Sequence, residues 1–282
     1  MHVMKTTIAG DYIKVQNYTP HNTAAHRKKR GKSRKETAAA MKRYNDRMKA
    51  EKLQFLIILN FNSGYMVTLK YGAGNHPADY MAADNLIMSK LRGLKRELKR
   101  TGRELKYIAV TERGKICSGL HHHVLVDSLE YALMLKERWD GYVSIEPLKE
   151  NGAYKDIAAY LCKQDTKEEL PKGKSAYHVS RNLEQPRVEY KLVPDKWEEK
   201  PTPPKGYEII PDTLINGFNN SIGIKYQSYM LKRQIDPKYR QIDRKDKKRR
   251  GVLFGNVLKK MFGRSCSDRT KGTQTILKYI RK

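Results

Sequence analysis

The sequence predicts an α+β fold in which helices pack against an antiparallel sheet. Between residues 65 and 164, hydrophobic periodicity changes in the order strand, helix, two strands, helix, strand, helix. The loop between the two successive strands is too short for a parallel crossover, so these strands form an antiparallel hairpin. Strands and helices that each carry one apolar face bury it against each other, and this order of elements therefore predicts α+β.

The first half of this region begins with a long helix. Residues 36–53 are rich in Ala, Lys, Arg and Met, which predicts a helix, and they lead into the apolar run 53–59. That run is either the buried end of the helix or a first strand. Residues 65–71 alternate with the period of a strand. A second, amphipathic helix begins after Pro77 and ends before Gly102.

The hairpin and the next helix follow directly. Residues 105–112 and 120–126 are rich in strand formers and flank a glycine-containing loop, which predicts the two strands of a hairpin. Asp127 with Glu130 three residues later resembles a capping box, so a helix is predicted to begin there and to run to Trp139.

Three further elements complete the folded region. Residues 142–148 predict a strand, and Asn151 with Gly152 begins a third helix that extends to about residue 164. Residues 177–193 predict a strand pair around Pro186. The proline-rich run 201–204 predicts a stiff linker that ends the domain.

The charge distribution divides the chain into three predicted parts. The 282 residues include 58 Lys and Arg against 30 Asp and Glu, a net charge of +28. Residues 1–50 carry +10, residues 51–200 only +4, and residues 201–282 +14. We therefore predict a basic N-terminal extension with a helix (1–50), a folded domain (51–200), and a basic C-terminal tail (201–282) that binds DNA or is partly disordered.

The basic flanks point to a polyanionic partner, and nucleic acid is the first choice. The alternatives are an anionic membrane surface and charge runs that are merely solvated. No apolar run approaches the ~18 residues of a membrane span, and three scattered cysteines do not form a disulfide framework, so a reducing cytoplasm is expected. The candidate DNA-binding residues are Arg27, Lys28, Lys29, Arg30, Lys247, Lys248, Arg249 and Arg250.

Three consecutive histidines lie inside the second hairpin strand. Because side chains alternate along a strand, His121 and His123 share one face, and His122 faces the other side. If opposed residue numbers in the hairpin sum to about 233, Glu112 lies across from His121. Two imidazoles and a carboxylate suit Mn²⁺ or Mg²⁺ and would also accept Zn²⁺, Co²⁺ or Ni²⁺. The alternative is a histidine tract that only packs within the sheet.

The third helix carries a tyrosine that could act as a nucleophile. Ala153, Ile157 and Leu161 are predicted to form its buried stripe, with Asp156, Tyr160 and Lys163 along the edge of that stripe. A phenol is a weak nucleophile at neutral pH, so a nearby ammonium group and a metal would have to activate it. The alternative is that Tyr160 is an ordinary half-buried core residue.

Three segments together resemble the signature of HUH endonucleases, namely YIAVTERG (107–114), LHHHVLV (120–126) and IAAYLCK (157–163). More narrowly, the chain resembles rolling-circle replication initiators of phages, plasmids and integrated elements of Gram-positive bacteria. Further matches are residues 59–61 with 67–69, Trp139 followed by Gly141, and residues 180–183 before Pro186. The resemblance covers about residues 37–190.

The resemblance implies a five-stranded antiparallel sheet with flanking helices, similar to the RRM fold. It also implies metal-dependent nicking of single-stranded DNA at an origin, through a covalent 5′-phosphotyrosine intermediate, followed by religation. His121 and His123 would be the paired ligands, Glu112 the third ligand, Tyr160 the nucleophile and Lys163 its charged helper. Two departures are His122 at a usually apolar position and Gln164 at the place of a second tyrosine. We therefore expect single-tyrosine chemistry, and a ligand set that includes His122 stays open.

The expected partners and alternatives follow from the same resemblance. The partners would be single-stranded DNA or an origin hairpin, with a helicase and a polymerase supplied by the bacterial host cell. The sequence contains no phosphate-binding loop motif, so no nucleotide cofactor is expected. A conjugative relaxase or a single-strand transposase would use the same chemistry. A non-catalytic basic nucleic-acid-binding protein is the alternative from another class.

Overall fold

The computed structural model describes residues 2–19, 35–114, 119–149, 151–162, 177–193, 197–219 and 224–234. Contacts divide the chain into two units, Met1–Arg233 and Gln234–Lys282. Nearly all of the second unit lies outside the described residues, and the following description concerns the first.

The first unit contains four helices and eleven strands among its described residues. The helices are α1 (Lys35–Asn60), α2 (Tyr80–Arg100), α3 (Leu129–Glu137) and α4 (Lys155–Cys162), the last preceded by a 3-10 turn, Asn151–Tyr154. The strands are β1 (His2–Ala9), β2 (Tyr12–Tyr18), β3 (Tyr65–Tyr71), β4 (Tyr107–Arg113), β5 (Leu120–Val126), β6 (Gly141–Pro147), β7 (His178–Val179), β8 (Arg187–Val193), β9 (Tyr207–Ile209), β10 (Ile215–Asn219) and β11 (Ile224–Arg233). None of the described helices is long and apolar enough to cross a membrane.

Five of these strands form an antiparallel sheet in the order β6-β3-β5-β4-β7, which we call the histidine sheet. Its central strand is β5, the strand with the three histidines. In the β4–β5 hairpin Glu112 lies opposite His121 and Val110 opposite His123, which is the register predicted from the sequence. This sheet and its helices confirm the predicted α+β class.

Helices α2 and α3 cover one face of the histidine sheet. The apolar stripe of α2 is fully buried and consists of Tyr80, Ala83, Ile87, Leu91, Leu94 and Leu98. Its first turn is capped by Asp79, whose carboxylate accepts a hydrogen bond from the Ala82 amide at 2.7 Å. Helix α3 is capped by Ser128 rather than by the predicted Asp127, and it ends at Glu137 rather than at Trp139.

Helices α1 and α4 cover the other face. The apolar run 53–59 is the end of α1 and not a strand. Leu53, Leu56 and Ile57 are almost completely buried because this part of α1 packs between two sheets, contributing to one core with Ile108 of β4 and Tyr12 of β2. A helix that is apolar all round is the expected result of such burial on both sides.

The second sheet, which we call the flank sheet, was not predicted. Its strand order is β10-β11-β2-β1-β8, and β9 also pairs with β11. Its strands come from residues 2–18, 187–193 and 207–233, so they lie on both sides of the predicted boundaries at 50/51 and 200/201. The division into domains stays a prediction, but strands from both predicted flanks pair with each other.

Two local predictions were wrong. Residues 177–193 do not form a strand pair, because β7 joins the histidine sheet through β4 and β8 joins the flank sheet through β1. In the third helix the buried residues are Tyr154, Ala158, Leu161 and Cys162, and Ile157 is only partly buried. The helix proper begins at Lys155 after the 3-10 turn, and this later start shifts the buried stripe.

Candidate metal centre and tyrosine

The candidate centre lies on the face of the histidine sheet that α4 covers. His121 and His123 project from β5 toward this face, and Glu112 projects from the adjacent strand β4. The Nε2 atoms of His121 and His123 lie 3.0 Å and 2.9 Å from the same atom, Glu112 Oε1. The structure thus brings together the three residues that the sequence singled out as ligands.

Each imidazole is oriented by a contact on its outer nitrogen. His123 Nδ1 lies 3.0 Å from Thr68 Oγ1 on β3, and His121 Nδ1 lies 3.5 Å from the Gly119 carbonyl oxygen. A ring that donates from Nδ1 keeps the Nε2 lone pair available, which is the usual arrangement around a metal-binding histidine. Potential ligand atoms of Glu112, His121 and His123 all lie within 4.8 Å of one another.

The charge of Glu112 suits a cation. Burial by itself would raise the pKa of this carboxyl, but the hydrogen bonds from His121, His123 and Tyr160 outweigh burial and hold the pKa well below its usual range. The group is therefore a carboxylate at neutral pH, although only 4% of the residue is exposed. Two imidazole nitrogens and one anionic oxygen fit a divalent metal ion, and this group can hold one.

Tyr160 brings its hydroxyl to the same carboxylate oxygen. The hydroxyl donates to Glu112 Oε1 at 2.8 Å and lies 3.1 Å from His123 Nε2. Tyr160 is 37% exposed, in contrast to the buried Glu112 and His123, so it stands at the mouth of the centre. Burial, the hydrogen bond to Glu112 and the charge of that carboxylate raise the pKa of Tyr160 to about 12.

The 3-10 turn before α4 fixes where Tyr160 points. Ala153 and Tyr154 have φ values of 55° and 60°, a left-handed conformation that non-glycine residues rarely adopt. Gln54 of α1 donates to the Ala153 carbonyl at 2.8 Å, and the hydroxyl of Tyr154 donates to Asn62 Oδ1 at 3.2 Å. These buried contacts stabilise the turn and thereby the rotation of α4 about its axis.

Residues 64–169, which include this centre, match the family model for the ORF2 group of replication-associated proteins. The chain carries a Rep-type replication domain. The family match supports a role in replication initiation and therefore DNA binding. Comparisons with curated proteins and with solved structures give no significant match.

In this Rep-type domain His122 lies on the opposite face and takes no part in the centre. The side chain is completely buried, with Nε2 2.6 Å from the Tyr71 hydroxyl and Nδ1 2.9 Å from Thr111 Oγ1. Thr111 in turn donates to Asp84 on α2, and His178 of β7 lies 2.8 Å from the same carboxylate. Burial lowers the pKa of His122 to about 3, against a smaller opposing effect of the Asp84 charge. The imidazole is therefore neutral at physiological pH.

Several predicted residues cannot be located relative to the centre. Lys163 lies just beyond α4 and outside the described residues. The same holds for both basic clusters, namely Arg27, Lys28, Lys29, Arg30, Lys247, Lys248, Arg249 and Arg250.

The Rep-type domain also has site residues that the sequence analysis missed. Thr68 contacts His123 because β3 pairs with β5, and that pairing joins strands about 50 residues apart. Asp84 and His178 meet for the same non-local reason. The only available signal was the strand pattern of β3, which would have revealed Thr68 had the strand order been known.

An exposed row of side chains leads from the centre to the edge of the sheet. Cross-strand pairs on one face connect Glu112 to His121, His121 to Lys70 on β3, and Lys70 to Tyr142 on β6. Lys70 is exposed, and Tyr142 is 74% exposed. Strands lie about 4.8 Å apart, so this row extends roughly 10 Å from His121 to Tyr142.

Proposed function

We propose that the protein is a metal-dependent, single-tyrosine DNA endonuclease and ligase that starts rolling-circle replication of a mobile element. One observation carries this proposal: the hydroxyl of Tyr160 and the nitrogens of two histidines converge on one carboxylate oxygen of Glu112. A tyrosine beside a group that can hold a metal ion is what phosphoryl transfer to a protein side chain requires.

The reaction is a transesterification at a phosphodiester of single-stranded DNA. The Tyr160 oxygen forms a bond to phosphorus, and the bond from phosphorus to the 3′-oxygen breaks. The phenolic proton is released to solvent, and the departing oxygen takes up a proton and becomes a free 3′-hydroxyl. Since the phosphotyrosine is again a diester, a 3′-hydroxyl can attack it and reseal the strand without a nucleotide cofactor.

Glu112, His121 and His123 would hold the divalent metal, with Mn²⁺ or Mg²⁺ as our candidates. When bound, such an ion polarises the non-bridging phosphate oxygens and neutralises charge that develops in the transition state. Tyr160 needs nearby positive charge, because a phenol with a pKa near 12 is almost entirely protonated at neutral pH. We assign the role of charged helper to Lys163, which follows Tyr160 by three residues in the sequence.

The row from His121 to Tyr142 supports a single-stranded substrate. An exposed lysine beside the centre suits a phosphate, and an exposed tyrosine one strand further suits an unpaired base, which stacks on aromatic rings. The basic clusters at residues 27–30 and 247–250 would hold the origin hairpin through its phosphates, which makes binding salt-dependent. In this proposal the host's cytoplasm supplies the helicase and the polymerase.

The decisive experiment is a search for the covalent intermediate. Labelled single-stranded DNA from the neighbourhood of the gene is incubated with the protein and Mn²⁺ or EDTA, then separated on a denaturing gel. We expect a metal-dependent protein–DNA band that Tyr160→Phe abolishes. Tyr142→Phe is the matched control, since it removes the hydroxyl of another exposed tyrosine and keeps the stacking ring.

Binding is measured separately on Tyr160→Phe protein, by anisotropy of labelled single-stranded DNA. Tyr142→Ala and Lys70→Ala in that background should each weaken binding, the tyrosine by about 1–3 kcal/mol. An adduct that survives Tyr160→Phe would contradict the assigned nucleophile. The absence of any adduct with DNA that the protein demonstrably binds would favour a non-catalytic nucleic-acid-binding protein.

A further inference from the structure

We propose that two copies of this chain associate through the outer edge of β8, strand to strand and antiparallel. β8 (Arg187–Val193) is the terminal strand of the flank sheet, and within the described part of the chain only β1 pairs with it. Its outer edge therefore presents a row of backbone N–H and C=O groups that no described strand covers. Such an edge is a template for pairing with another strand.

The side chains of β8 are unusually apolar for an uncovered strand. Val188, Tyr190 and Leu192 occupy alternate positions, so they lie on one face, and they are 42%, 65% and 62% exposed. Natural sheets usually protect long edges by charge, proline or a covering element. An edge of seven residues with three exposed apolar side chains instead favours a partner that covers it.

The sequence of β8 is complementary to itself. A two-fold axis at Tyr190 places Glu189 opposite Lys191 of the second copy, and this ion pair occurs twice. On the other face the same register places Val188 opposite Leu192, also twice. Cross-strand pairs of opposite charge and of apolar residues both stabilise a sheet.

Other registers are disfavoured. Opposed residues must lie on the same side of the sheet, so a two-fold pairing can slip only by moving its centre one residue along both strands. Centring on Glu189 opposes two glutamates and also brings Arg187 opposite Lys191. Centring on Lys191 opposes two lysines. The charges thus select the register at Tyr190, and a closed two-fold interface stops at two copies.

The charge pattern also favours a second copy over nucleic acid at this edge. Arg187 and Lys191 flank Glu189, and Arg187 forms an ion pair with Glu189 at 2.8 Å. A carboxylate in the middle of the strand repels phosphates, whereas it is required for the pair with Lys191. The inference concerns a surface on another sheet and does not depend on the proposed nicking reaction.

The test exchanges the two charges between two variants of the full-length chain. Glu189→Lys opposes two lysines, and Lys191→Glu opposes two glutamates, so each variant alone should repel its own copy. An equimolar mixture restores opposite charges at both pairs. Molar mass is measured by light scattering after size exclusion at tens of micromolar protein, a range suited to a small interface. Nucleic acid is first removed by nuclease and high salt.

We expect wild-type protein to move from 32.8 kDa toward twice that mass as its concentration rises. Each single variant should associate at least about tenfold more weakly, and the mixture should regain wild-type association. Circular dichroism of each variant checks that the fold is kept. The proposal is overturned if wild-type protein stays monomeric, if its association ignores both substitutions, or if the mixture does not recover. A loss of DNA affinity without a change in mass would assign this edge to nucleic acid instead.

Discussion

The buried His122 should make the stability of the protein strongly pH-dependent, and His122→Gln tests this. Its pKa is about 3 in the folded protein and about 6.5 in an unfolded chain. The unfolded state therefore binds the proton more tightly, so the contribution of this residue is fully present above pH 6.5 and is lost as the pH falls from 6.5 toward 3.

The magnitude follows from the two pKa values. At pH 5 His122 is almost fully protonated in the unfolded chain and still neutral in the folded one, which destabilises the fold by about 2 kcal/mol relative to pH 7. The result at pH 5 depends mainly on the unfolded pKa, since any folded value below about 4 gives nearly the same number. Glutamine does not titrate, so the variant lacks this loss.

The assay is urea unfolding of both proteins at pH 7, 6 and 5 in EDTA, because bound metal would add its own proton linkage. Trp139 is a suitable probe, as its ring lies 5.4 Å from that of His122. We expect the wild type to exceed His122→Gln in unfolding free energy at pH 7, and this advantage to shrink by about 2 kcal/mol at pH 5. His76→Gln, at an exposed histidine, is the control. An advantage that is unchanged or larger at pH 5 would refute the reasoning.

Two further substitutions test the support of the centre and of the sheet. Thr68→Val removes the oxygen that lies 3.0 Å from His123 Nδ1, and it should weaken Mn²⁺ binding by about 10–100-fold in calorimetry; an unchanged Kd would mean that this contact does not orient the ring. Gly141→Ala would place a Cβ atom 2.2 Å from the Lys70 carbonyl oxygen, so we expect a loss of about 1–3 kcal/mol. Thermal unfolding measures the second effect, and an unaltered Tm would contradict it.

The features that were predicted correctly from the sequence are local. The β4–β5 hairpin is joined by a short loop, so the pairing of Glu112 with His121 followed from counting residues around that loop. Strand alternation then placed His122 on the other face. Helix α2 was equally accessible, since its apolar stripe and its end near Gly102 both lie in one continuous segment.

The features that were missed depend on distant or strained segments. The flank sheet joins β1 to β8, strands more than 170 residues apart, and no pattern within either strand identifies its partner. The orientation of α4 was misjudged because Ala153 and Tyr154 adopt a left-handed conformation, which sequence periodicity does not reveal. That turn buries Tyr154 and leaves Tyr160 at the centre, although both tyrosines belong to the same short segment.

A tract of three histidines poses a problem of register that the rear of the sheet resolves. A slip of β5 by one residue would exchange its two faces, moving His122 into the centre and His121 and His123 into the core. In the observed register one imidazole is buried and both of its nitrogens contact polar groups, Tyr71 and Thr111. The slipped register would bury two imidazoles against α2 and α3, and it would leave the hydroxyls of Tyr71 and Thr111 without these contacts, at a cost of about 1–3 kcal/mol for each unsatisfied group. The hydrogen bonds behind the strand therefore select which two histidines face Tyr160.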